Sequence, residues 1–245
     1  MENEIAPRPW GRHASRAADA EMILSLIGMS GSGKTHWSRR LAETGYERIG
    51  CDDRIEQRLA AEGRLRGAGG IERVARWMGQ PYEPGFAAHE AAYLAAERGV
   101  VSEILALLER DPVAKLAIDT TGSVVYLGEE ISRRLQAQTT IVYLETSPEQ
   151  LELMFRQYIA DPKPVVWRDA FQRRDGESDQ QALKRCYRDL LQSRRALYAR
   201  YATVKLSAAH LREAQPSVGE FLRLVQQQIG AQRESKARKP SDDLS

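Results

Sequence analysis

The sequence is poor in several things whose absence narrows its chemistry. Its 245 residues hold two cysteines, Cys51 and Cys186. That is too few for a disulfide framework and fits a reducing, cytoplasmic setting. No apolar run approaches the ~18 residues of a membrane span. Residues 1–21 mix Arg8, Arg12 and Arg16 with Glu2, Glu4, Asp19 and Glu21, without the apolar centre of a signal peptide. No membrane is therefore expected among the partners. Charge of one sign is missing too: 36 basic residues stand against 34 acidic ones, a net of +2, so no long-range field draws the chain to nucleic acid. Asparagine occurs once, at Asn3, which removes the N-K-x-D pattern by which GTPases read guanine.

Against these absences stands Gly28-Met29-Ser30-Gly31-Ser32-Gly33-Lys34-Thr35, a complete G-x-x-x-x-G-K-[ST] phosphate loop. It follows the apolar run 22–27 and precedes a helical pattern, the strand and helix that the motif requires. Its glycines let backbone N–H groups wrap an anion, and the helix that opens near Gly33 points its positive dipole end at the same place. Gly28, Ser30, Gly31, Ser32, Gly33, Lys34 and Thr35 are thus expected to bind a nucleoside triphosphate, ATP, with Lys34 on the β- and γ-phosphates and the Thr35 hydroxyl on Mg²⁺.

Short apolar runs at 22–28, 46–50, 113–119, 140–145 and 202–206 alternate with helical patterns at about 34–44, 54–62, 71–78, 86–109, 128–137, 148–159, 181–200 and 217–230. The alternation predicts a three-layer α/β P-loop fold with a five-stranded parallel sheet and helices on both faces. In the 86–109 segment Phe86, Tyr93, Leu94, Val101, Ile104, Leu105 and Leu108 recur at helical spacing, with Glu90, Glu97, Arg98 and Glu103 between them, so that stripe reads as core. Two irregular stretches interrupt the alternation: the glycine-rich 63–85 and the stretch 160–180, which holds Lys163, Trp167, Arg168 and Phe171. Long irregular segments inside a compact domain serve as lids or substrate elements, or are tolerated insertions. One domain at 22–230 is expected, with an acceptor-binding insertion at about 54–90 and a lid at about 160–180. Disordered tails are expected at 1–21 and 231–245.

A P-loop protein needs an acidic group at a neighbouring strand end for its metal, and Asp119, closing Leu116-Ala117-Ile118-Asp119, has that place. The same residue could instead cap the turn Thr120-Thr121-Gly122-Ser123. Asp52 and Asp53 follow the second strand, where a doubly wound sheet gathers ligands. Asp52 is the expected carboxylate for an acceptor hydroxyl; helix capping by the pair is the other reading. Arg156, Lys163, Arg168, Arg194 and Arg195 are candidate cations for a transferring phosphoryl group.

These residues, with Val142-Tyr143-Leu144-Glu145, Lys163-Pro164-Val165-Val166 and Arg194-Arg195-Ala196-Leu197-Tyr198, occur in the order seen in shikimate kinases, which the chain resembles over roughly 22–230. The resemblance implies a nucleoside-monophosphate-kinase fold with a mobile lid and transfer of the ATP γ-phosphoryl group to a ring hydroxyl. It implies that Asp52 contacts the acceptor hydroxyls, with Asp53, Thr121 and Gly122 beside them, and that Arg194 holds a substrate carboxylate. Arg156 would lie near the nucleotide, and Lys163 would replace the lid arginine of the R-P-L-L type, keeping a cation but losing its bidentate fork. The chain also departs from the family. Gly50 stands where the D-x-D motif has its first aspartate, Thr120-Thr121-Gly122 replaces Gly-Gly-Gly, and Ala87 replaces the arginine after Phe86.

The sequence thus reads as an ATP- and Mg²⁺-dependent kinase, a phosphotransferase acting on a hydroxyl of a small metabolite related to shikimate. Lys34, Asp52 and Lys163 are its catalytic set and Thr35 and Asp119 its metal side. A nucleotide or sugar kinase of the same fold and a non-catalytic ATP-binding regulator are the alternatives. Monomer and homodimer both stay open.

Overall fold

The computed structural model describes residues 21–67, 69–111, 113–160 and 165–237. Five short apolar segments form one parallel sheet: β1 (Ile23–Ile27), β2 (Glu47–Gly50), β3 (Leu116–Asp119), β4 (Thr140–Glu145) and β5 (Val204–Ser207). Their order is β2-β3-β1-β4-β5. Parallel neighbours cannot be joined by a tight turn, so helical crossovers connect them. These are α1 (Lys34–Ala42), α2 (Cys51–Ala61), α3 (Ile71–Met78), α4 (Phe86–Arg110), α5 (Glu129–Gln138), α6 (Pro148–Ala160), α7 (Asp179–Tyr201), α8 (Ala208–Ala214) and α9 (Val218–Ala237).

The sheet is covered on both faces, so its strands are nearly continuous apolar runs whose side chains nonetheless alternate. Leu24, Leu26, Val142, Leu144, Val204 and Leu206 meet Trp37 and Leu41 of α1, Leu211 of α8 and Phe221 of α9. Trp37 and Phe221 stack there with ring centroids 4.2 Å apart. Ile27, Ile49, Ile118, Ile141 and Tyr143 face the larger cluster built by α2, α3, α4, α5 and α7. This is the expected three-layer fold. Among the described residues no helix is long and apolar enough to cross a membrane.

Several boundaries differ from expectation. Helix α2 begins at Cys51 and not at 54, so Asp52 and Asp53 sit in its first turn, where the helix dipole favours carboxylates. Helix α8 was not expected, its apolar signal being confined to little more than one turn. Ser207 caps it by accepting the His210 N–H at 3.2 Å. Helix α9 continues to Ala237, past the expected boundary at 230, because the polar residues that follow favour helix. The described remainder of the expected tails, beyond Glu21 and this helix end, is nil: 1–20 and 238–245 lie outside the described residues.

The described part of the 160–180 stretch is packed near Trp167 and mostly exposed beyond Phe171. Val166 and Trp167 are buried. The Trp167 ring lies 5.7–6.1 Å from those of Phe171, Tyr187 and Tyr158. Glu90 of α4 accepts the backbone N–H groups of Trp167, at 2.5 Å, and Arg168, at 3.0 Å. Lys163 lies outside the described residues.

Candidate functional site

The strand register sets the site's floor. Gly50 of β2 pairs with Asp119 of β3, which pairs with Leu26 of β1, so the three strands end side by side and deliver the phosphate loop, Asp119 and the start of α2 to one crevice. Gly28 leaves β1 with φ +145°, and a Cβ there would lie 2.8 Å from Ser32 Oγ and 2.9 Å from the Leu144 carbonyl. Only glycine fits that start of the loop. Gly33 precedes α1 and offers no side chain to cap it, so the first-turn N–H groups remain open. Lys34 folds back over the loop, its Nζ donating to the Gly28 and Met29 carbonyls at 2.9 Å each. Burial lowers the Lys34 pKa, while the Asp52 and Asp119 charges pull it up. Ser32 Oγ is buried without a hydrogen-bond partner, a polar atom in need of one. A cradle of this kind, with open N–H groups, a buried ammonium and an orphaned hydroxyl, fits the phosphates of a nucleotide. Thr35 is exposed at the rim.

Asp119 is buried and occupied. Its Oδ2 accepts from Arg48 Nη2 at 2.9 Å and from Ser38 Oγ at 3.2 Å, and Arg48 Nε donates to the same serine at 2.9 Å. Arg48 also reaches Asp53 at 3.7 Å, which holds that exposed carboxylate over the end of β2. A Cβ at Gly50 would lie 2.6 Å from Asp53 Oδ2 and 3.1 Å from Arg48 Nη2. The Arg48–Asp53 pair thus lies over Gly50, and its flexible ends would have to shift for any larger residue there.

Asp52 opens to solvent on one side and faces the phosphate loop on the other. Desolvation raises its pKa, as do the charges of Asp119 and Asp53, while Lys34 and the Tyr93 hydroxyl hold it down. Across the crevice Arg194 of α7 is buried, donating from Nη2 to the Val166 carbonyl at 2.5 Å and from Nε to the Tyr126 hydroxyl at 3.2 Å. No carboxylate pairs with it among the described residues, which leaves a buried guanidinium in need of an anion. Gly122 lies between: a Cβ there would stand 3.5 Å from Arg194 Nη1 and 4.0 Å from the Ser30 N–H nitrogen of the phosphate loop. The Tyr198 hydroxyl donates to the Gly122 carbonyl at 2.5 Å.

Thr121 corrects an expectation. Its hydroxyl does not face a ligand but donates to Glu97, a fully buried carboxylate of α4, which also accepts from Ser123 Oγ at 2.7 Å. Arg156 is likewise not brought to the crevice: its side chain is exposed on α6 and pairs with Glu152 one turn away at 3.5 Å. Arg195 turns to Glu145 at 3.7 Å. The structure assembles Lys34, Asp52, Asp119, Gly122 and Arg194, and adds Arg48, Tyr93, Glu97 and Tyr126, which sequence reasoning did not single out. A signal for the glutamates existed: Phe86, Glu90, Tyr93, Glu97, Val101 and Ile104 repeat at three and four, so Glu90 and Glu97 lie on the apolar stripe itself.

A cleft of about 470 Å³ opens beside the loop, bounded by Gly31, Gly33, His36, Arg40, Leu211 and Arg212. Arg212 of α8 donates to the Gly31 carbonyl at 3.1 Å. A larger cavity of about 790 Å³ lies at the other end of the sheet, around Met22, Thr140 and Thr203, away from the residues described above.

No curated protein sequence matches the chain. Among solved structures it is similar to a shikimate kinase from Acinetobacter baumannii in complex with shikimate, at 22% identity and a TM-score of 0.53, over 87% of this chain and 96% of that one. Shikimate kinases from Bacteroides thetaiotaomicron (17%, TM-score 0.51, 85% and 99% covered) and Aquifex aeolicus (18%, TM-score 0.50, 84% and 96%) are also similar. At these identities the likeness is one of fold, that of P-loop kinases. The pattern of the AAA domain family matches residues 23–152, more than half of the 245, and includes the phosphate loop, Asp52 and Asp119. The chain belongs to the AAA domain family.

Proposed function

We propose that the protein is an ATP- and Mg²⁺-dependent kinase that phosphorylates a hydroxyl of a small carboxylated metabolite. The observation that carries this reading is that the Lys34 ammonium feels both the Asp52 carboxylate and the Arg194 guanidinium, a buried cation beside Gly122 that pairs with no carboxylate among the described residues. Bound MgATP supplies the transferable phosphoryl group and the metal charge that eases its passage. Gly28, Ser30, Gly31, Ser32, Gly33 and Lys34 would hold the phosphates, and Thr35 and Asp119 the metal side, Asp119 through water because its Oδ2 is committed to Arg48 and Ser38. The cleft against α8, which Arg156 does not line, would hold the nucleoside.

Asp52 does the proton work. Its carboxylate takes the acceptor's hydroxyl proton, and its upward-shifted pKa makes that oxygen a better base than an ordinary aspartate. Arg194 binds the acceptor carboxylate, which satisfies a guanidinium already stripped of water. Ala87 supplies no second arginine at the exposed start of α4, so shikimate is expected to be used at least ~10-fold less well than the true acceptor, the loss of one charge-assisted contact.

The test is coupled ADP release from the purified protein against sugar acids, polyols, shikimate and nucleosides, beside a Lys34→Ala variant. The expected result is multiple turnovers with a hydroxylated carboxylate and a loss of ~10²-fold or more in the variant. A rise in melting temperature with MgATP, abolished in Lys34→Ala, but no turnover with any acceptor, would overturn the kinase in favour of an ATP-binding regulator.

A further inference from the structure

Helix α4 carries a carboxylate that the reaction above does not use. Glu97 is fully buried, yet it has no arginine or lysine within ion-pair distance among the described residues and is held instead by two hydroxyls, from Thr121 and Ser123. Those two residues flank Gly122. Thr121 Oγ1 in turn accepts the Ser123 N–H at 3.1 Å and lies 3.0 Å from Ser123 Oγ, so the turn is cross-braced onto Glu97. The brace directs both side chains away from the crevice and leaves the glycine between them facing Arg194, Tyr198 and Ser30. It accounts for two hydroxyl residues standing where a bare backbone is needed: the backbone still meets the ligand.

We propose that Glu97 is the positioning residue of the acceptor pocket, drawing the Thr121 and Ser123 hydroxyls inward so that the Gly122 backbone lies against the acceptor beside Asp52 and Arg194. The inference rests on the kinase reading for the identity of what Gly122 meets, and on the hydrogen bonds alone for the brace. An ionised Glu97 accepts from both hydroxyls. Once protonated, one of its oxygens donates instead, one of the two hydroxyls must rotate to accept that proton, and the bonds that cross-brace the turn rearrange.

The groups around Glu97 are Cys51 and Asp52 from α2, Tyr93 from its own helix, Arg194 and Tyr198 from α7, and the two hydroxyls. Burial drives its pKa up to about 7, Asp52 adds to the rise, and Thr121, Ser123 and Arg194 oppose it. The brace therefore switches within the neutral range. Because the folded pKa lies above the unfolded value of 4.5, the group's contribution to stability is present at low pH and is lost as pH rises toward 7. Acceptor binding moves the other way, improving as Glu97 ionises. Opposite slopes of stability and acceptor affinity over one pH range distinguish this role from a structural one.

The experiment compares wild type with Glu97→Gln from pH 5.5 to 8.5. In wild type the acceptor KM should fall roughly 10-fold across the range, the worth of one charge-assisted contact, with the ATP KM nearly constant. The variant should hold a high, flat acceptor KM and should gain melting temperature relative to wild type as pH rises. Thr121→Val, which removes one donor to the carboxylate, should shift the midpoint upward. Independently of any acceptor, the amide resonances of Thr121, Gly122 and Ser123 should titrate near pH 7 in wild type and not in Glu97→Gln. Turn resonances that stay fixed over the range, or a Glu97→Gln enzyme with the wild-type acceptor KM profile, would overturn the proposal. Titrating resonances in a protein that turns over no acceptor would uphold the brace and count against the kinase reading.

Discussion

The two halves of the crevice are made differently. On the nucleotide side the parts are consecutive: eight residues from Gly28 to Thr35 supply the turn, the open N–H groups, the cation and the hydroxyl, and the Lys34 ammonium is seated by carbonyls of its own loop. On the proposed acceptor side the parts come from four elements: Asp52 from α2, Tyr93 and Glu97 from α4, Gly122 from the turn after β3, and Arg194 from α7. Backbone chemistry serves for phosphate, which is the same in every nucleotide. Side chains brought together from afar serve for an acceptor that must be distinguished from others.

Three substitutions sharpen or break this contrast, the largest expected effect first. Asp52→Asn should cut kcat by ~10²–10⁴-fold, the usual worth of a positioned general base, and leave ATP affinity within about twofold. A parallel loss of ATP binding would show that the two halves are not separable. Arg194→Lys should raise the acceptor KM by ~10–100-fold, because an ammonium cannot reproduce the fork now shared between Val166, Tyr126 and the open side, while nucleotide binding by calorimetry stays unchanged. An unchanged acceptor KM would remove Arg194 from the pocket. Gly50→Ala should do least: its Cβ displaces the Asp53 carboxylate and nudges Arg48, both flexible ends, so a stability loss under about 1 kcal/mol is expected in thermal melts, with a modest change in Mg²⁺ dependence through Asp119. A loss several times larger would mean that the Arg48–Asp53 pair supports the floor of the site more than an exposed contact does.

Much of the fold was legible from local signals. Among the described residues all five strands and eight of the nine α-helices are foreseen, because apolar runs, Pro148 at a helix start and the phosphate loop are properties of neighbours in sequence. Helix α8 escaped because seven residues carry too little periodicity. In the site, Lys34, Asp52 and Asp119 are legible from position and pattern, Arg194 as one candidate cation among several, and Gly122 through the resemblance alone. Arg48 escaped notice because nothing local marks one arginine among many as the partner of Asp119. Thr121 is placed at the ligand by the resemblance, and no local signal shows that its hydroxyl turns to Glu97. The burial of Trp167, within the expected lid stretch, against Glu90 and three aromatic rings is not legible because those partners lie far off in the sequence.

By itself the sequence determined the anion cradle, the alternation that builds a parallel sheet, and the strand ends at which a ligand would gather. These follow from backbone geometry and side-chain period, which depend on residues within a few positions of one another. Only the tertiary structure decided which charges meet: that Asp119 is shared by Arg48 and Ser38, that Arg194 is buried without a carboxylate partner among the described residues, and that Glu97 turns two hydroxyls away from the crevice. The energies involved depend on desolvation and on partners 24 to 81 positions apart in the chain, and neither quantity exists until the elements have packed.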